Sequence, residues 1–238
     1  MTGHAPPAAA SSRTALVAPL WHTALLVSFF VGLGLAGHAF QTSATIEAPT
    51  HHPGVVPLYL SILAAEWALL YFVWQGARRR GTPLRELIGG RWTSVRAALA
   101  DIALGLSLGV LWIGVNAAWS WLGPSHAKSV GALLPVSGPE IALWLAVSLT
   151  AGFCEETVFR GYLQKQLAAL TGSGTLAVVL QAAVFGAGHA YQGINAAANT
   201  ALYGLVLGAL ALWRKSVRPS IVAHAWSDIF GGVLSRLV

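Results

Sequence analysis

The chain has 238 residues, of which 55% are hydrophobic and 9% charged, and its mean hydropathy is +0.65. An ordinary soluble domain carries about 25% charged residues, so the composition excludes one and indicates a polytopic membrane protein. The net charge of +6 does not point to nucleic acid, because the arginines cluster in short loops between apolar runs, and the single cysteine excludes an internal disulfide framework or a Cys-rich metal site.

In chain order, residues 1–12 are rich in Ala, Pro and Ser and read as a disordered tail ahead of one integral membrane domain spanning 13–238. The apolar run Ala15–Ala36 is too long for a signal-peptide core, shows no cleavage site and reads as a retained first helix. Further helices are predicted at Val55–Gln75, Ala97–Leu122, Pro139–Leu170, Gly174–His189, Ala196–Trp213 and Pro219–Val238. The expected fold is therefore an all-α transmembrane bundle of about seven helices, with its motif-bearing core at 139–238. His51-His52, in an external loop, is too sparse for a metal site. Glu66 stands midway along the second helix with no motif around it; it either lines a substrate cavity or pairs with a polar group elsewhere, for which Asn116 and Gln181 are candidates. Gly105-x-x-x-Gly109 and Gly204-x-x-x-Gly208 are small-residue seams for internal helix packing. Placing the arginine-rich loop 78–96 and the cluster Arg214, Lys215 and Arg218 in the cytoplasm leaves only Lys128 and Arg236 on the other side. The N-terminus is then cytoplasmic, and the Arg-over-Lys, Ala- and Gly-rich composition suggests a bacterial cytoplasmic membrane.

The fourth helix carries adjacent acids, Glu155 and Glu156, with Arg160 four residues after the second. A carboxylate at mid-bilayer costs about 2.5–3.5 kcal/mol on insertion scales, so such groups mark functional sites by default. Ser137 and Gly138 are available as caps, Pro139 suits the first turn and Glu140 favours the helix dipole. Thr171-Gly172 ends the helix. Glu155 and His189 are each 17 residues from Gly172, so an antiparallel hairpin brings them to the same depth, about 10 Å below the inner interface at 1.5 Å per residue. His224 and Asp228 follow Pro219 on one helical face at about 7–14 Å. Four polar groups from three helices thus converge on one layer. Glu155 and Glu156 point about 100° apart. Glu156 and Arg160 have the spacing of an ion pair that supports the site structurally, which leaves Glu155 free to activate water beside a histidine. Cys154 reads as a small apolar helix residue, and Phe185 as packing. Tyr191, Gln192 and Asn195 are candidates for a wet entrance.

Glu155-Glu156-x-x-x-Arg160, Phe185-x-x-x-His189 and His224-x-x-x-Asp228 resemble the three motifs of the CPBP family (CAAX-protease and bacteriocin-processing, or Abi), intramembrane glutamic endopeptidases. The resemblance implies peptide-bond hydrolysis without a covalent intermediate and without a cofactor. By it, Glu155 deprotonates a water that His189 positions, while His224 and residue 228 stabilise the oxyanion. The prenyl-protein members have Asn where this chain has Asp228. Because Asp donates only when protonated, Asp228 is either held neutral by its apolar setting or orients His224, the second being the expected role. The implied partners are a membrane-associated peptide or protein substrate and the lipid bilayer, with the oligomeric state open. A zinc metalloprotease using Glu155, His189 and His224 as ligands is the alternative chemistry, although no HExxH is present. A non-catalytic scaffold or immunity protein is the alternative class. A proton-coupled transporter lacks paired broken helices or an inverted repeat, and a serine hydrolase lacks GxSxG.

Overall fold

A computed structural model of the protein describes residues 15–43, 54–122 and 133–234. The tail at 1–12, Arg13, His51, His52, Lys128 and Arg236 lie outside them. Among the described residues the chain is all-α, with no strand. The helices are α1 (Leu20–Ser43), α2 (Val56–Arg78), α3 (Leu84–Ile88), α4 (Val95–Leu122), α5 (Gly138–Thr171), α6 (Gly174–Gly188), α7 (Ile194–Arg214) and α8 (Arg218–Gly232). Helices α1, α2, α4, α5 and α7 are long and apolar enough to cross a membrane, α6 is apolar but shorter, and α8 has 15 residues.

Seven of these match the helices expected from hydropathy; the differences have local causes. Helix α1 starts at Leu20, later than Ala15, because the preceding backbone is tied elsewhere. The Val17 and Ala18 amides donate to Gln166 Oε1 at 2.7 and 3.1 Å, and Gln166 Nε2 donates to the Ala18 carbonyl at 2.9 Å. Helix α8 stops at Gly232, earlier than the end of the chain. Helix α3 is additional, and its five residues are too few to show a helical period. It ends at Gly89 in the left-handed region (φ 102°). Its terminal carbonyls at Glu86 and Leu87 accept from Lys165 Nζ, and Leu87 is fully buried against Gly161.

Helix α5 begins with Glu140 Oε2 accepting the Val136 and Ser137 amides at 2.8 and 2.9 Å, which satisfies two N-terminal donors. Its middle, Thr157–Leu163, is π-helical, and every residue of that segment is buried. The π turn inserts an extra residue per turn directly after the two glutamates, a distortion often found at functional sites. Gly172, at φ 71°, ends α5, and the Ser173 hydroxyl caps α6 by accepting the Leu176 amide at 3.2 Å.

Small residues bring the site-bearing helices together. Side chains at Gly105 and Gly109 of α4 would strike α8 at Pro219, Val222 and Trp226, and side chains at Gly204 and Gly208 of α7 would strike α6 at Ala182 and Gln181. Both seams are internal packing. A Cβ on Gly152 would lie 2.9 Å from the Ala225 backbone nitrogen, so α5 and α8 cross where only hydrogen fits. Gly152→Val is expected to destabilise the protein by about 1–3 kcal/mol, the usual cost of overpacking, and to displace His224. Thermal unfolding in detergent measures the first effect. An unchanged midpoint would contradict the close crossing.

The basic loops are fastened to one another. Asp101 accepts Trp92 Nε1 at 2.9 Å and Arg214 Nη2 at 2.6 Å, and Arg218 stacks over Trp92 while donating to the Gly89 and Gly90 carbonyls. Val217 N donates to the Ile88 carbonyl at 3.1 Å. These bonds anchor the start of α8 and so fix where His224 and Asp228 enter the bundle.

Candidate active site

A cavity of about 310 Å³ lies between the helices. It is lined by Glu66 from α2, Trp112 and Asn116 from α4, Glu155 from α5, Phe185 from α6, and His224, Ser227 and Asp228 from α8. His189, in the turn that follows α6, completes the polar wall. The expected site residues Glu155, His189, His224 and Asp228 therefore face one space. Of the entrance candidates, Gln192 lines the cavity and donates to Tyr191 OH at 2.9 Å, Tyr191 stacks on His189, and Asn195 is not among the lining residues.

The two glutamates diverge as their positions require. Glu155 keeps 16% side-chain exposure and lies in the cavity wall. Glu156 is fully buried, and its Oε1 accepts Arg160 Nη1 at 2.7 Å. The same oxygen also bonds His224 Nδ1 at 2.8 Å, a link to α8 that the spacing within α5 does not reveal. Since the carboxylate accepts, Nδ1 carries the proton and Nε2 turns to the opposite side. There it lies 3.7 Å from Asp228 Oδ2 and 3.9 Å from Glu155 Oε2. The orientation of His224 expected from Asp228 is thus supplied by Glu156. Asp228 is beyond hydrogen-bond distance on the Nε2 side, and its helix is held instead by Trp144 Nε1 donating to the Asp228 carbonyl at 2.9 Å.

His189 is oriented by the same principle. It caps α6, and its Nδ1 donates to the Phe185 carbonyl at 2.8 Å, which leaves Nε2 available to the cavity. Phe185, 1% exposed, does more than fill space. Its ring meets those of His189 and His224 edge-on at 4.8 and 6.1 Å, and the Arg160 guanidinium sits 4.3 Å over it. Arg160 is thereby enclosed between a carboxylate and an aromatic face. Cys154 is buried in α5.

The acids and imidazoles are not grouped as a metal cage: among the described residues, no three His, Cys, Asp or Glu side chains are arranged to hold an ion. Ser227 and Tyr203 were not apparent from the motifs. Tyr203 OH donates to Ser227 Oγ at 3.0 Å, Ser227 in turn donates to the Ala223 carbonyl at 2.9 Å, and Tyr203 stacks on Trp112 at 4.4 Å. Ser227, three residues after His224, shares its helical face, a signal present in the sequence; Tyr203 had none.

Residues 137–230, roughly two-fifths of the chain, match the Rce1-like family model, described as type II CAAX prenyl endopeptidase Rce1-like. That region contains all of α5, α6 and α7, nearly all of α8, and every motif residue named above. No curated protein and no solved structure matches the chain. The protein is thus an integral membrane protein whose segment 137–230 matches an Rce1-like family model, in agreement with the CPBP resemblance of its three motifs.

Proposed function

We propose that the protein is an intramembrane endopeptidase that hydrolyses a peptide bond of a membrane-associated protein or peptide. The observation that carries this reading is the shared cavity wall of Glu155, His189, His224 and Asp228, with each imidazole held through Nδ1. Glu155 takes a proton from a water that His189 Nε2 orients. The resulting hydroxide attacks the carbonyl carbon and forms a tetrahedral oxyanion. His224, protonated at both nitrogens, donates Nε2–H to that oxygen, and Asp228 binds the substrate beside it. The carbon–nitrogen bond then breaks, and the proton on Glu155 passes to the departing amine. No covalent enzyme intermediate forms. The positive charge of the loops supports a cytoplasmic N-terminus.

Reconstitution in vesicles with a library of membrane-associated peptides tests the reading. Cleavage that persists in chelator is expected. Activity lost to chelator and restored by zinc would establish the metalloprotease alternative, and no cleavage of any library member would favour the scaffold. Because Glu156 already orients His224, Asp228→Asn is expected to keep kcat/KM within about tenfold, or ~1.4 kcal/mol of barrier. A much larger loss would show that the Asp228 charge itself is needed.

A further inference from the structure

The cavity wall carries neutral amides as well as acids and imidazoles. Asn116 of α4 and Asn199 of α7 both line it and belong to none of the three motifs, and α4 lies outside the matched region 137–230. Of the partners expected for Glu66, Gln181 Nε2 donates to the Gly204 and Val178 carbonyls, and Asn116 is engaged by Asn199, whose Nδ2 donates to Asn116 Oδ1 at 2.6 Å. Two amides placed only to fasten helices would close a second bond, from Asn116 Nδ2 to Asn199 Oδ1. That bond is not made: Asn199 Oδ1 is buried and has no hydrogen-bond partner among the described residues. Asn116 is thus held through its oxygen, and Nδ2, with two hydrogens, stays uncommitted on an exposed residue of the wall. The serines of the wall offer less, because Ser148 and Ser227 donate to carbonyls of their own helices.

The aromatic rings place this amide relative to the chemistry. Trp112 and Tyr203 stack at 4.4 Å, and the Tyr203 ring meets that of His224 edge-on at 5.9 Å. Asn116 is four residues after Trp112, and Asn199 four before Tyr203. The two contacts pair residues in opposite chain order, so α4 and α7 run antiparallel and the amides stand one turn, about 6 Å, from the level of the stack. An extended peptide covers that length in about two residues. A chain laid out for cleavage has given up its own helical hydrogen bonds, and unpaired peptide groups are costly in an apolar setting, so the wall must supply partners beside the scissile bond. We propose that Asn116 is a substrate-binding residue whose Nδ2 donates to a backbone carbonyl of the bound peptide about two residues from the scissile bond, with Asn199 as the positioning residue that aims it. The inference rests on the hydrolytic reading given above and assigns that site an extended peptide segment, recognised through its backbone.

An amide-to-ester scan with the full-length protein in vesicles tests it. The probe is a library peptide that wild type cleaves, remade with single backbone amides replaced by esters, whose carbonyl is the weaker acceptor. In wild type, the ester about two residues from the scissile bond is expected to raise KM about tenfold with kcat within about threefold, the pattern of lost uniform binding. Asn116→Leu, of similar size, is expected to raise KM for the all-amide peptide about as much, and to respond to that ester by less than about twofold. Asn199→Leu is expected to shrink the ester's effect as well. An asparagine that only joined α4 to α7 would leave the ester's effect the same in variant and wild type. Equal ester penalties in wild type and Asn116→Leu therefore overturn the proposal. So does a wild-type scan with no KM penalty at that distance on either side of the scissile bond, which needs no variant at all. The two readings fail separately. If Glu155→Gln is inactive while the ester penalties are equal, only the role of Asn116 is lost; if Glu155→Gln cleaves as wild type does, the hydrolytic reading itself is lost.

Discussion

Glu155→Gln is expected to lower kcat at least about 10²-fold, because positioned general-base catalysis contributes roughly 10²–10⁴-fold, while leaving KM within about threefold. The amide keeps the size of the side chain, but it cannot accept the proton of water. The fold does not depend on this carboxylate: Glu155 lies 3.9 Å from His224 Nε2, and the buried ion pair of α5 belongs to its neighbour. Thermal unfolding should therefore change by less than about 1 kcal/mol. Steady-state cleavage of a reconstituted peptide measures the kinetic effect. A Glu155→Gln protein within threefold of wild-type kcat would remove this residue from the chemistry.

Glu156 is expected to show the opposite balance, with a loss of both stability and activity. Its Oε1 serves Arg160 and His224 at once, and Arg160 is 1% exposed. Glu156→Ala leaves that guanidinium charged, buried and without its carboxylate, with Nε and Nη2 already unpartnered. Removing one member of a buried pair typically costs about 3–5 kcal/mol, whereas replacing both by apolar residues is often close to neutral. The double variant Glu156→Met with Arg160→Met is therefore expected to recover most of the unfolding temperature. It should not recover activity, because His224 Nδ1 still lacks its anchor and the ring is free to turn. A double variant that is both stable and active would show that Glu156 only neutralises Arg160.

Much of this architecture was legible in the chain. Apolar runs long enough to span a bilayer place α1, α2, α4, α5 and α7, and the equal spacing of Glu155 and His189 from Gly172 predicts that a hairpin brings them level. Both do line one cavity. Helix α3 was not legible, because five residues held by Leu87 burial and by Lys165 carry no periodic signal. Nor was the π turn at Thr157–Leu163, which packs against α2, α3 and α6, elements distant from it in sequence.

The polar pairings divide along the same line. The ion pair of Glu156 with Arg160 is contained in a four-residue spacing, because helix geometry alone places those side chains together. The bond from Glu156 to His224 joins residues 68 positions apart, on helices whose rotation is set by which glycines admit a neighbouring backbone. Composition and helical period thus determined the membrane setting and the apolar spans. Tertiary packing alone decided which acid each histidine meets, since that choice depends on how the helices turn about their own axes, and each rotation is fixed only once the other helices are in place.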